Sequence, residues 1–130
     1  MGAGIIIVND QKSVLALITY TGLYDLPKGK AEYGESVFET AQRECFEECD
    51  IWVEPSDLLY PTYLNRNGTD IFLARIPSGQ SVEIKINKET NRAEHMGYCW
   101  ISFDEFLRNT YPFLRIHLKW ANAKITNGDF

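Results

Sequence analysis

The 130-residue chain lacks any run of eighteen or more apolar residues, so no membrane-spanning helix is expected. No basic region precedes an apolar stretch, and Ile6 sits where an acylation motif after Gly2 needs Ser or Thr, so neither a secretion signal nor myristoylation is expected. Low-complexity tracts, linkers and internal repeats are absent, which argues against long disorder and for one domain over residues 1–130. Three cysteines cannot all pair within one chain. Cys45, Cys49 and Cys99 lie in apolar-periodic segments, where a free thiol behaves as a small hydrophobe, and a reducing, cytoplasmic setting follows as the expectation. There is also no basic excess: net charge is −5.

What charge there is has one address. Between Gly29 and Ile51 stand seven acids (Glu32, Glu35, Glu39, Glu44, Glu47, Glu48, Asp50) and two bases (Lys30, Arg43), and over the remaining residues acids and bases cancel. A surface for nucleic acid is therefore not expected, whereas a local cation site is.

Gly4 to Val8 and Ser13 to Tyr20 read as two largely buried strands joined by the polar turn Asn9–Lys12. Past the breaker-rich Leu26-Pro27-Lys28-Gly29, Ser36-Val37-Phe38-Glu39 is a capping box that opens a helix ending near Cys49-Asp50. At roughly 100° per residue, Val37, Phe38, Ala41, Cys45 and Cys49 share a core stripe, with Glu44, Glu47 and Glu48 on a distinct adjoining one. Leu58 to Leu64 and Asp70 to Ile76 flank the hairpin turn Arg66-Asn67-Gly68-Thr69. Ser81 to Ile86 alternates as an edge strand, and Gly97 to Ser102 reads as a further strand. Helices are expected over Phe103–Asn109 and Phe113–Lys124, the latter with Phe113, Leu114, Leu118 and Ala121 inward and Arg115 and Lys119 outward. This order implies a mixed sheet packed by helices, an α/β sandwich.

Glu44, Glu47 and Glu48 repel one another by a few tenths of a kcal/mol per pair. Exposed helices are often acidic, so the cluster alone reads first as a solvated face and only second as a site for hard divalent cations. The surrounding spacing decides. Gly29, five residues, Glu35, seven residues, then Arg43-Glu44-Cys45-Phe46-Glu47-Glu48-Cys49-Asp50-Ile51 closely resembles the signature of the Nudix hydrolase family, Gly-x5-Glu-x7-Arg-Glu-U-x-Glu-Glu-x-Gly-U, where U is bulky and apolar. Six fixed identities coincide by chance on the order of once in ten million windows, so accident is excluded. Two looser stretches add to it. Tyr24-Asp25-Leu26-Pro27-Lys28-Gly29 looks like the family's lead-in, where Trp often replaces Tyr24, and Glu94-His95-Met96-Gly97-Tyr98-Cys99-Trp100-Ile101 is similar to the late strand of diadenosine polyphosphate hydrolases. One position departs: Asp50 stands where the signature has Gly, at a cost of about 1 kcal/mol in a left-handed turn.

The resemblance implies a Nudix-type α/β/α sandwich with a mixed central β-sheet. It implies hydrolysis of a phosphoanhydride in a nucleoside diphosphate linked to another group, with Mg²⁺, or Mn²⁺ in its place, as cofactor. By position, the ions fall to Glu44, Glu47 and Glu48 with a carbonyl of Lys28 or Gly29, and Arg43 pairs with Glu35 to hold the loop against the helix. Glu44, Glu47 or Glu94 is the candidate base, Glu94 also an extra ligand, and His95 a polar or packing residue. Lys28 and Lys30, with Lys85, Lys88 and Arg92, are candidates for phosphate, and Tyr24, Tyr63, Phe72 and Tyr98 for stacking on a base. A dinucleoside polyphosphate such as diadenosine tetraphosphate comes first as substrate. The alternatives are a MutT-like nucleoside triphosphate pyrophosphatase, an RNA 5′-end pyrophosphohydrolase, and a non-catalytic nucleotide-binding module. The expected partner is the small nucleotide itself, not a membrane or a nucleic acid, with the protein a monomer or homodimer.

Overall fold

Ile5, Ile6, Ile7 and Val8 are all fully buried, which requires cover on both faces of the strand that carries them. The computed structural model, which describes residues 2–60, 63–87, 89–128 and 130, supplies that cover. Strand β1 (Gly2–Val8) turns Ile5 and Ile7 toward a core shared with helix α1 (Val37–Cys49). It turns Ile6 and Val8 toward a second core formed with α2 (Phe103–Arg108) and α3 (Arg115–Asn127). Helices on both faces of a mixed sheet are the expected sandwich.

The sheet is forked, and the fork builds the site. One edge of β1 pairs in parallel with β6 (Thr69–Arg75) along its whole length, and β5 (Leu64–Arg66) flanks β6. The opposite edge is divided: Val8 pairs with Val14 of β2 (Val14–Ile18), while Gly2–Gly4 pair with β4 (Lys28–Lys30). Strand β2 in turn carries β9 (Gly97–Ile101) on all five residues and β3 (Tyr24–Asp25) at Leu17 and Ile18. Leu26 and Pro27 therefore cross from β2's branch to β1's, bringing Lys28 and Gly29 beside α1.

Helix α1 begins as its sequence dictates. The Ser36 hydroxyl accepts from the Glu39 amide and the Glu39 carboxylate from the Ser36 amide. It ends on Asp50 at φ 63°, whose N–H donates to the Phe46 carbonyl. The two-residue turn Asn67-Gly68 has positive φ at both positions, as a type I′ hairpin demands.

Several expectations need correction. The residues flanking the Asn67-Gly68 turn pair as Leu64–Arg66 with Thr69–Ile71, whereas Leu58 makes only an isolated bridge to Ala74; residues 61 and 62 of the expected first strand lie outside the described residues. Ser81 to Ile86 is not an edge strand. Val82 and Ile84 do pack inward, but the amides of Glu83 and Lys85 donate to the carbonyls of Cys49 and Glu48, satisfying orphan groups at the end of α1. Ile86 instead opens a small hairpin, β7 (Ile86–Asn87) with β8 (Arg92–Ala93). Phe113 and Leu114 belong to a 3-10 turn ahead of α3, and Arg115 folds in to donate to the Leu107 carbonyl. The core and acidic stripes of α1 are not separate: Glu48 is buried among the core residues, Glu44 is half-buried and Glu47 is exposed.

Candidate active site

One guanidinium gathers the loop and the acidic side of α1. Arg43 donates from Nε and Nη2 to the Glu35 carboxylate at 2.6 and 3.1 Å, and from Nη2 to the Lys30 carbonyl at 2.8 Å. Its Nη1 donates to Glu44 Oε1 at 2.7 Å and Glu47 Oε1 at 2.9 Å. Glu35 also accepts from the Thr40 hydroxyl and the Glu32 amide. Arg43 above all, then these partners, outweigh burial and bring its carboxyl down to about 2. The pairing of Arg43 with Glu35 read from the spacing is thus present, and it closes residues 30–35 against the helix.

Behind it lies the carboxylate that the fold treats worst. Glu48 is 7% exposed; its Oε2 accepts from the Lys28 amide at 3.2 Å, while Oε1 has no hydrogen-bond partner among the described residues. Burial first, then contact with Glu44 and the charges of Glu94 and Asp25, pushes its carboxyl well above the usual range. Burial also raises Glu44, with Arg43 opposing in part. Gly29 explains how Glu44 comes so close to β4: any Cβ there would run into the Glu44 carboxylate. Gly29→Ala is expected to displace that carboxylate and lower kcat/KM about 100-fold while moving the melting temperature little. Steady-state kinetics beside a thermal melt check this.

His95 completes the cluster from β2's other side. Its Nε2 is 3.1 Å from Asp25 Oδ2 and its Nδ1 3.5 Å from Glu48 Oε1. Burial alone would raise the Asp25 carboxyl, but His95, Lys28 and the Leu26 amide together hold it below the ordinary value. Glu94, exposed and accepting from the Asn87 side-chain Nδ2 at 3.0 Å, offers an oxygen to the same place: ligand atoms of Glu48, Glu94 and His95 lie within 4.8 Å of one another. From sequence His95 reads as a polar or packing residue, which its burial fits, but Asp25 has no assigned role and their pairing is not foreseen. The one sequence signal was a carboxylate set between apolar residues three positions before a lysine.

Two clefts meet at Glu48, Glu94 and His95. The larger, about 530 Å³, is also lined by Arg43, Glu44, Glu47, Phe46, Trp52 and Lys85; the smaller, about 290 Å³, by Tyr20, Asp25, Lys28 and Tyr111. Of the remaining candidates, the Lys28 ammonium is tied to Asp25 at 2.9 Å, and Lys30 is exposed with its carbonyl on Arg43. Tyr24 bonds Glu105 and packs on Phe106, Tyr63 packs on Phe72, and Tyr98 lies on β9; none of the three lines either cleft. Phe72 is buried, Arg92 is exposed on β8, and Lys88 lies outside the described residues.

The donors fit a hard divalent cation: oxygen atoms dominate, one buried carboxylate oxygen has no hydrogen bond among the described residues, and Gly29 keeps the approach clear. Glu44, Glu47, Glu48 and Glu94 would hold it. A pH test follows from the signs. Glu44 and Glu48, raised in the folded state, contribute stability below about 4.5 that is lost as pH rises through their folded values. Glu35, lowered to about 2, contributes a constant amount above pH 5. His117, held below its ordinary value by burial, works the other way and favours the folded state as pH rises toward 6.5. The contribution of the two carboxyls is therefore isolated by metal: chelator-treated protein is expected to gain more from Mg²⁺ at pH 8 than at pH 5.5, and calorimetry across pH with and without Mg²⁺ measures it.

Comparison with known proteins agrees with this fold. Among solved structures, an Ap4A hydrolase from C. elegans in a binary complex superposes with TM-score 0.76 at 18% identity, covering 98% of this chain and 99% of that one. The dihydroneopterin triphosphate pyrophosphohydrolase of E. coli gives 0.71 at 20% identity, with 92% of each chain covered. The MutT protein from Methanosarcina mazei Go1 gives 0.64 at 22%, over 95% and 93%. These likenesses establish the fold. The family model described as NUDIX domain matches residues 1–121, nearly the whole chain and all of the 29–51 segment. The chain belongs to the Nudix hydrolase family.

Proposed function

We propose that this protein is a Mg²⁺-dependent pyrophosphohydrolase that cleaves a phosphoanhydride in a dinucleoside polyphosphate, with diadenosine tetraphosphate the first candidate. The observation that carries the reading is Glu48: a buried carboxylate whose Oε1 has no hydrogen bond among the described residues, only His95 Nδ1 3.5 Å away, and which is crowded by Glu44 and Glu94, gains from a dication what the fold alone does not give it. When bound, the ion neutralises phosphate charge and makes a water more acidic. The chain's own residues do the rest. Arg43 fixes Glu44 and Glu47 from one side, and the Lys28 amide fixes Glu48 from the other. Glu94, held by the Asn87 side-chain amide in the bend between β8 and β9, is our candidate to take the proton of the attacking water. Glu44 and Glu47 are the alternatives for that proton. The substrate class is supported by two clefts joined at one carboxylate cluster, room for a nucleotide half on either side. The lack of a basic surplus outside the 29–51 segment favours a small nucleotide over an RNA 5′ end. Free Cys45, Cys49 and Cys99 accord with a cytoplasmic setting, and the reading is of a monomer or homodimer.

The test is a panel of diadenosine tetraphosphate, nucleoside and deoxynucleoside triphosphates and a 5′-triphosphorylated RNA oligonucleotide, with Mg²⁺ or Mn²⁺ and products separated by chromatography. The dinucleotide is expected to turn over fastest. Fastest cleavage of a triphosphate would select the MutT-like reading, and fastest cleavage of the RNA end the third. Thermal stabilisation by a compound that is never cleaved would make the protein a binding module.

A further inference from the structure

Helix α1 carries a second feature that the carboxylate cluster does not use. Phe46 and Trp52, 39% and 50% exposed, meet edge to face at 5.8 Å and line the larger cleft together with Glu44, Glu47 and Glu48. Ile86 of β7, 63% exposed, lines the same cleft. Large side chains of this kind are ordinarily buried. Here three stand in solvent beside a site for polyanions.

A cation is fastened to this wall. The Lys85 ammonium lies 3.6 Å from the Phe46 ring centroid and 2.9 Å from Asp50 Oδ1, and its backbone amide donates to the Glu48 carbonyl. Asp50 occupies the left-handed position, φ 63°, where the signature has Gly. Glycine there would relieve the backbone but offer Lys85 no carboxylate. The departure from the signature is thus what pins a positive charge against an exposed aromatic, in the cleft that the glutamates line.

We propose that Phe46, Trp52 and Lys85, positioned by Asp50, form the subsite for one nucleoside of a dinucleoside polyphosphate: the base stacks on Trp52, and Lys85, held over the Phe46 ring, meets the phosphate next to it. The cleft volume, about 530 Å³, is in the range that holds such a group. Stacking tolerates any base, so the subsite selects for the presence of a second nucleoside rather than for its identity. The proposal deepens the substrate class above and rests on that reading.

The protein and its Trp52→Ala variant are compared on diadenosine tetraphosphate and on ATP, each with Mg²⁺. The variant is expected to raise KM for the dinucleotide about tenfold more than KM for ATP, with the change in KM rather than kcat, and Trp52→Phe is expected to restore most of it. Asp50→Gly removes the anchor of Lys85 at a position where Gly is the less strained residue, so loss of folding cannot explain its effect; a smaller rise in the same direction is expected. Equal changes for both substrates, or none, would overturn the subsite. Calorimetric binding of a methylene-bridged diadenosine tetraphosphate separates the two levels of the argument. If nothing is hydrolysed but Trp52→Ala still weakens binding about tenfold, the hydrolase reading fails and the subsite stands. Hydrolysis of the dinucleotide with unchanged binding by the variant sinks the subsite alone.

Discussion

Glu48→Gln is expected to lower turnover at least 10³-fold, about 4 kcal/mol in barrier, while leaving the metal-free protein as stable as before or more so. The two effects have opposite signs because they have one cause. Ionised Glu48 is buried, its Oε1 without a hydrogen bond among the described residues, and lies against Glu44, so the apo fold bears its charge at a cost. Glutamine keeps the shape and still accepts from the Lys28 amide, but carries no charge for a dication. A melt without metal and a rate with Mg²⁺, on the same preparation, read both. A lower apo melting temperature together with full turnover would make Glu48 a structural residue and remove the basis of the functional reading.

Arg43→Ala acts through stability. The side chain neutralises Glu35, Glu44 and Glu47 at once and ties the Lys30 carbonyl to the helix. Breaking a buried pair costs about 3–5 kcal/mol. Arg43 keeps 20% of its side-chain surface in water, so a loss of about 2–3 kcal/mol is the expectation. For a domain of this size that is roughly 10 °C in melting temperature. Mg²⁺ is expected to restore only part of it, because an ion can replace the guanidinium at Glu44 and Glu47 but not the anchor at Glu35. Lysine at position 43 recovers little, since one ammonium cannot span these oxygens. A fall under about 2 °C would show that loop and helix hold together without the arginine.

Local rules made much of this legible. The capping box, the left-handed Asp50 and the Asn67-Gly68 turn each depend on neighbours a few residues apart, and each is where the spacing places it. The alternation of Val82 and Ile84 was real, but its meaning was not: the intervening amides go to the end of α1 rather than to a strand. The pairing of His95 with Asp25 was illegible for a different reason. Asp25 pairs to one edge of β2 while the Met96 amide, next to His95, bonds the Ile18 carbonyl from the other, so their meeting belongs to the sheet and to no stretch of sequence. Tyr24, Tyr63 and Tyr98 illustrate the same limit, since composition cannot tell which aromatics end at a cleft. Phe46 stands inside the box at a position the signature leaves open, and its exposure is a property of the fold alone.

The parallel pairing of residues 2–8 with 69–75 also bears on how the protein is made. During synthesis the glutamate-bearing helix can pack on β1, which precedes it, but β6 and the residues around Glu94 and His95 follow much later, so the nascent molecule holds its glutamates over an incomplete sheet. Closing so distant a contact is slow compared with forming the helix or the hairpin. Competence therefore arrives late and all at once, when the chain's second half docks against its beginning.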